Sequence, residues 1–567
     1  MNWKYLKKVN DTCTILDHRL CPEVSAMFTA MASRMPAGGI EARYREVVDA
    51  VAKTIHDEKF PTLLVVDWTD KSDEKRETFY GEAEDLLTTY PLHPVVQAFF
   101  NKFVKAYGHS SILELTGQPA VYIEGVSWWT NWLLFDSPLC AGQEFSTRAV
   151  RRRDWPMCRE AMQTATELTI AEDVDIDGQQ AKKGDKLILT VPHPELQELH
   201  EAWMEIFEAE VEAWKEEFSK PCPVCKSELE LPPPETLTAL GVSMEFLEGG
   251  GCLYCGDTGK KHPSADSEPF RPALDKARWA LPGTIATGCC HTTNLRERAR
   301  VLDTGWAVAR IGNGCGEAKA VWVDIGGAYH DALPGMSGMG LKEAWYLQGE
   351  ESEGTPPYHL YTSHDYYVGD EAPQEVEMKV TNHIIGQELE SIGRKSPRTY
   401  LDPLWNQTRM RLTIRCSLAA ARDWHRHRTA YPWDLKLQMV TRKISEELFH
   451  IVLHPAYSPI SELGKEKTPA LLARSQEVAE AFAAAGDYYR MMLCFPLGTQ
   501  VPMSCEMGLR DAVYMLELRA NAPGANFEYR IQAEKALELL KIWLGPRIRD
   551  ELWPWEKDKY SYSEEEK

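Results

Sequence analysis

No apolar run in this 567-residue chain approaches the roughly 18 residues that a membrane-spanning helix needs. The most apolar stretch, Val121 to Phe135, is interrupted by Glu124 and rich in Trp, which predicts a buried helix or strand instead. The opening residues, MNWKYLKKVNDTC, lack the apolar core of a secretory signal, so a cytoplasmic address is expected. A basic surplus is missing too. With a formal charge of -22 there is no broad basic face for phosphate backbones, which argues against wholesale nucleic-acid binding. An anionic substrate would then need a local positive pocket. Without a leader, fourteen cysteines read as thiols and metal ligands rather than disulfides. Hydrophobic content of 44% and charged content of 26% rule out a disordered chain, and the length asks for two or three domains.

What is present falls into segments. Residues 1 to about 95 read as helical with one buried strand, Thr62 to Val66, and a helix is expected over Val95 to Tyr107, ending at Gly108. Trp155 to Phe218 reads as largely helical, broken near Asp175 to Lys186. An insert is expected over about 180–269, Pro, Gly and Cys-rich from Lys220, and a Gly and Tyr-rich connector over 311–385. Helical periodicity is expected to dominate from there to Leu552.

Within the insert, Cys222-Pro-Val-Cys225 and Cys252-Leu-Tyr-Cys255 are two CxxC pairs with 26 residues between them. Each pair can form a knuckle facing one ion, and four thiolates complete a tetrahedral zinc site. With all four positions filled by sulfur, the zinc would be structural.

Three polar clusters carry chemical potential. Gly108-His109-Ser110-Ser111-Ile112-Leu113-Glu114 is the first; Gln143-Glu144-Phe145-Ser146-Thr147-Arg148 is the second. Ser and Arg two apart can present a hydroxyl and a planar guanidinium fork to one phosphate. The third, Asp423-Trp424-His425-Arg426-His427-Arg428, concentrates cations in an acidic chain and can grip a pyrophosphate or a flavin edge. A repeat also appears: Arg278-Trp279-Ala280-Leu281-Pro282-Gly283 runs on to Asn294-Leu295-Arg296, and Met492-Leu493-Cys494-Phe495-Pro496-Leu497-Gly498 to Gly508-Leu509-Arg510. In both, an Arg follows the Pro by 14 residues.

Together these motifs resemble the flavin-dependent thymidylate synthases, the ThyX family, whose signature is RHRxxSxxxxSxR. Here the signature is divided. Ser146 and Arg148 hold its end, with Asp136-Ser137-Pro138 where RHR belongs; Arg426-His427-Arg428 hold its beginning, with Lys436 and Gln438 where its end belongs. The resemblance covers most of residues 96–310 and 386–545. It implies an α+β fold of two diverged copies in tandem, each an antiparallel sheet flanked by long helices: 1–310, with a four-cysteine, zinc-ribbon-like insert, and 386–567. Arg148 and Pro282 are 134 positions apart, Gln438 and Pro496 only 58, and the difference of 76 is room for the insert.

In that family one subunit supplies the RHR arginine and a distal catalytic arginine, and its partner the Glu-x-Ser-x-Arg and the Arg before "LP". The resemblance therefore implies one composite site. Glu144, Ser146, Arg148 and Arg278 would hold the nucleotide from the first half, with Asp423 and Arg426 from the second and Arg519 as the catalytic arginine. His109, Ser111, Glu114, Asn294, Arg296, Arg426, His427 and Arg428 would hold FAD. The equivalent second site is degraded, with Met492 opposite Arg278, Arg394 opposite His109, Gly508 opposite Asn294 and Gly305 opposite Arg519. Asp423 stands where the family has Gln, and Tyr431 where it has Ser, so a cytosine base is also conceivable.

The implied reaction moves a one-carbon unit from methylenetetrahydrofolate to dUMP, with reducing equivalents from NADPH through FAD. Two other readings stay open: methylation or hydroxymethylation of dCMP or dUMP, and a non-catalytic flavin- or nucleotide-binding zinc-ribbon protein. A homodimer forming a pseudo-tetramer is the expected assembly.

Overall fold

The structure, a computed structural model, describes residues 3–34, 39–59, 66–68, 74–106, 120–135, 140–147, 156–176, 179–184, 186–221, 270–293, 316–332, 376–381, 409–427, 433–435, 451–508, 511–512, 515–516, 519–520 and 526–544. In chain order these hold β1 (Leu6–Lys8), β2 (Cys13–Leu16), α1 (Pro22–Met31), α2 (Gly39–Lys59), α3 (Tyr80–Leu86), α4 (Pro94–Phe100), β3 (Ala120–Val126), α5 (Trp128–Phe135) and β4 (Cys140–Glu144). Next come β5 (Met162–Thr169), β6 (Val174–Ile176), β7 (Gln179–Ala181), β8 (Lys186–Pro192), α6 (Pro194–Ser219), α7 (Arg271–Ala277), β9 (Thr287–Thr293) and α8 (Gly316–Asp331). The remainder holds β10 (Val376–Thr381), β11 (Arg409–Ser417), α9 (Leu418–His425), β12 (Trp433–Leu435), α10 (Glu462–Ala484), α11 (Tyr488–Leu493), β13 (Gln500–Gly508) and α12 (Phe527–Leu544). Helices flank two antiparallel sheets, an α+β architecture. No described helix is long and apolar enough to cross a membrane.

The first sheet has the order β1-β2-β3-β9-β4. Successive residues of a strand point to opposite faces, and β3 uses this to join two cores: Val121 and Ile123 enter one, Ala120 and Tyr122 the other. The second of these is filled by the N-terminal helices. Along α2 the buried residues Tyr44, Val47, Val48, Val51 and Ile55 recur at helical spacing, giving a single apolar stripe. Each such side chain stabilises the layer by about 1.5–3 kcal/mol on full burial.

The second sheet has the order β10-β11-β13-β12, which repeats β2-β3-β9-β4 place for place. In each sheet a central strand runs through a serine into a buried helix. Ser127, just before α5, accepts from Thr130 N at 3.1 Å and donates to Glu160 at 2.9 Å. Ser417, just before α9, accepts from Ala420 N at 3.1 Å and donates to Glu528 at 2.6 Å. Long helices α6 and α10 lie together, with Trp203 Nε1 donating to Ser475 Oγ at 3.0 Å. Short helices α7 and α11 follow them and lead into the two Pro-Gly turns, which sit back to back. Leu497 N donates to Leu281 O at 2.9 Å and Gly498 N to Trp279 O at 2.7 Å. Glycine is required here by proximity: a Cβ on Gly283 would lie 2.5 Å from Phe495 O, and one on Gly498 2.7 Å from Trp279 Cβ.

Several expectations change. Residues 162–192, expected to be mainly helical, form the ribbon β5–β8 with the hairpin β6–β7. The β-branched Thr164, Thr166, Ile188 and Thr190 suit a pleated strand better than a helix. This ribbon lies between Ala161 and His193, just before α6. Within the range expected for the insert, α6 packs on α10 in the shared core. The segment 311–385 is more than a connector. Its α8 is tied to the first sheet through Asn10 Nδ2 and Asp324 O at 3.2 Å, and its β10 pairs with β11 of the second. Strands β11 and β13 likewise interrupt the helical run expected after 385. Residues 62–65 and the zinc-type cysteines Cys222, Cys225, Cys252 and Cys255 lie outside the described residues.

Candidate functional site

Where the two back-to-back turns meet the last turn of α9, charged side chains from widely separated segments gather below the surface. Arg278 opens a short 3-10 turn after α7 and is only 1% exposed. Its Nη1 donates to Asp423 Oδ2 at 2.9 Å. Asp275 Oδ1 lies 3.9 Å from its Nε, and that carboxylate already accepts from Asn526 Nδ2 at 2.9 Å. Burial works against the Arg278 charge, but Asp423, together with Tyr457, Asp275 and Glu528, outweighs it, and the guanidinium is held well above its ordinary pKa.

Helical spacing explains the next layer. Arg422 and Arg426 are four apart and share a face of the α9 end, and Asp423 is three before Arg426. Glu144, the last residue of β4, places Oε2 at 3.5 Å from Arg422 Nη2 and 3.6 Å from Arg426 Nη2. Arg426 Nη2 also lies 3.7 Å from Asp423 Oδ1. Three guanidiniums thus face Glu144, Asp423 and, more distantly, Asp275. The charges balance, but hydrogen-bond acceptors run short. Among the described residues, Nε and Nη2 of Arg278, Nε and Nη2 of Arg422, and Nε of Arg426 are buried with no hydrogen-bond partner. In an arginine, Nε and Nη2 are the side-on edge that binds two oxygens of a phosphate or carboxylate at once. Unfilled, such an edge costs about 1–3 kcal/mol per donor.

Beside this cluster, Arg519 Nε donates to His427 Nε2, so that nitrogen carries no proton in this arrangement. The guanidinium carbon of Arg519 stands 5.3 Å from the Tyr529 ring centroid, a cation–π approach. Trp132 of α5 stacks on His425, with centroids 3.8 Å apart and planes at 11°. Cys289 is opposite Glu144 across the β4–β9 ladder, and burial together with Glu144 pushes its thiol well above the usual range. It stays protonated and is a poor nucleophile.

Of the residues singled out from sequence, Glu144, Arg278, Asp423 and Arg426 come together in one cluster, with His427 and Arg519 paired next to it. Ser146 is half-buried two residues beyond Glu144. His109, Ser111, Glu114, Arg148, Asn294, Arg296 and Arg428 lie outside the described residues. Sequence reasoning misses Arg422; its position one helical turn before Arg426 is the available signal. Among the described residues no group of His, Cys, Asp and Glu could hold a metal ion.

Residues 393–544 match the thymidylate synthase complementing protein family. No curated protein and no solved structure matches the chain. The matched segment takes in β11, α9, α10, β13 and α12, and with them Asp423, Arg426, His427 and Arg519. It leaves out Glu144 and Arg278, which reach the same cluster from the other part of the chain.

Proposed function

We propose that this chain is a flavin-dependent thymidylate synthase-type enzyme that converts dUMP to dTMP, built from two diverged copies of one fold with a single composite site between them. The observation that carries this reading is the convergence of Glu144 and Arg278 with Asp423 and Arg426 on one buried cluster whose arginine edges want oxygen ligands. The family match over 393–544, the repeated strand order and the paired serine-capped helices support it.

The residues present fit a phosphate-bearing cofactor and a nucleotide, because buried guanidinium nitrogens without hydrogen-bond partners are the donors that phosphate oxygens satisfy. When bound, FAD reduced by NADPH supplies hydride and methylenetetrahydrofolate the carbon. The chain's own side chains do the rest. Arg278, with Arg148 and Ser146, would hold the nucleotide; Glu144 is the ion-pair partner of Arg426; His427 and Arg428 would hold the flavin. Arg519 polarises the pyrimidine and stabilises negative charge as N3 loses its proton, a role suited to a group that stays cationic. Cys222, Cys225, Cys252 and Cys255 hold a structural zinc ion, and two chains assemble into a pseudo-tetramer.

Asp423 favours one alternative. Held by Arg278, it is an acceptor-only carboxylate, and such a group suits the exocyclic amine of cytosine. Product mass spectrometry separates the readings: protein with FAD, NADPH and methylenetetrahydrofolate at low oxygen is offered dUMP and dCMP together. A methyl group gained by dUMP supports thymidylate synthesis. Modified dCMP or a hydroxymethyl product moves the function to a sibling reaction, and no product with bound flavin overturns the enzyme reading.

A further inference from the structure

We propose that Arg422 is a further anion-binding residue of this site, presenting its Nε and Nη2 edge to the phosphate of the bound nucleotide. The proposal rests on the nucleotide site proposed above and adds to it a residue that the divided RHR signature does not contain. Arg422 is 5% exposed, yet among the described residues neither Nε nor Nη2 has a hydrogen-bond partner. The carboxylate that faces it, Glu144 Oε2, stays at 3.5 Å from Nη2, beyond a good charge-assisted hydrogen bond. A guanidinium this buried and this poorly matched is unfavourable unless something supplies oxygens.

Its surroundings narrow what that something is. Arg278 leaves the same edge unfilled, and Arg426 leaves Nε unfilled, so five buried donors in one cluster lack acceptors among the described residues. Glu144 touches both Arg422 and Arg426, so the two guanidiniums are held close, as two arginines on one phosphate must be. A phosphate monoester brings three oxygens, each able to accept more than one hydrogen bond. The base or sugar of a nucleoside cannot supply that many charged acceptors. Arg422 therefore senses the phosphate and not the base.

The test compares a nucleotide with its nucleoside. Binding of dUMP and of deoxyuridine to the full-length protein is measured by calorimetry for wild type, Arg422→Gln and Arg422→Lys, with circular dichroism and thermal melting to check folding. Loss of a charge-assisted pair of hydrogen bonds should weaken dUMP by at least about tenfold in Arg422→Gln. Deoxyuridine affinity should move less than about twofold, since it offers the edge no phosphate. Arg422→Lys keeps the charge but not the fork, and should lose part of the dUMP affinity with the same indifference to deoxyuridine. If Arg422→Gln does not fold, the lysine variant carries the test. Parallel loss of both ligands would mean a purely structural arginine and would overturn the proposal, as would unchanged dUMP binding. A wild-type protein that binds neither ligand would instead overturn the functional reading itself.

Discussion

The strand–serine–helix unit occurs twice with the same spacing and opposite chemistry. Five, six and eight places after Ser127 stand Trp132, Leu133 and Phe135; at the same distances after Ser417 stand Arg422, Asp423 and His425. Before the paired turns, Met492 in one half stands where Arg278 stands in the other, and both are almost wholly buried. The scaffold therefore does not need charge at these places, since Leu133 and Met492 fill the corresponding positions in the other half. Ionised groups in their stead bear a desolvation cost of several kcal/mol per ion. Stability alone gives no reason to keep them, which supports the proposal that the charged side holds the site.

Exchanging the two chemistries tests this most directly. Asp423→Leu leaves Arg278 buried without its acceptor and should destabilise the protein by about 3–5 kcal/mol, seen as a large fall in the thermal midpoint. Adding Arg278→Met, which copies the apolar pair of the other half, should recover most of that loss, because well-packed apolar replacements of a buried ion pair are often neutral. The double variant should still fail to bind dUMP. A double variant no more stable than Asp423→Leu would show that the two halves are not interchangeable scaffolds. The seam between the halves is a second, smaller test. Gly283→Ala drives a methyl toward Phe495 O and should cost about 1–3 kcal/mol. A substitution without effect on the denaturation midpoint would mean that the turns can part.

Parts of this arrangement are legible in the sequence for physical reasons. Arg278 and Asp423 stand out through the family resemblance of the motifs that carry them, and the Val121–Phe135 run contains both a buried strand and a buried helix. The alternation Val501, Met503, Cys505, Met507 is a half-buried strand, yet its neighbourhood reads as helical because the long helices on either side dominate the window. The ribbon from Met162 to Pro192 is hidden similarly: Ala, Glu and Leu among its threonines mimic helix composition. Arg422 is illegible as a site residue because its role depends on Glu144, 278 positions away, which only the fold brings within 3.5 Å.

The smallest expected effect concerns the two serine caps, where the halves should behave alike. Ser127→Ala removes a hydroxyl that accepts from Thr130 N and donates to Glu160; Ser417→Ala removes one that accepts from Ala420 N and donates to Glu528. An N-cap lost to alanine costs about 0.5–2 kcal/mol. In each case the carboxylate keeps other donors: Glu160 retains Ser127 N and Thr130 Oγ1, and Glu528 retains Ser417 N and Gln532 Nε2. Neither is left as a bare buried charge, so the two variants should fall within about 0.5 kcal/mol of each other in chemical denaturation, inside the ordinary range for a cap. A much larger loss at Ser417 would mean that the α9 end is held by the cap because its charged cluster strains it, whereas equal losses leave the cluster's chemistry as the difference between the halves.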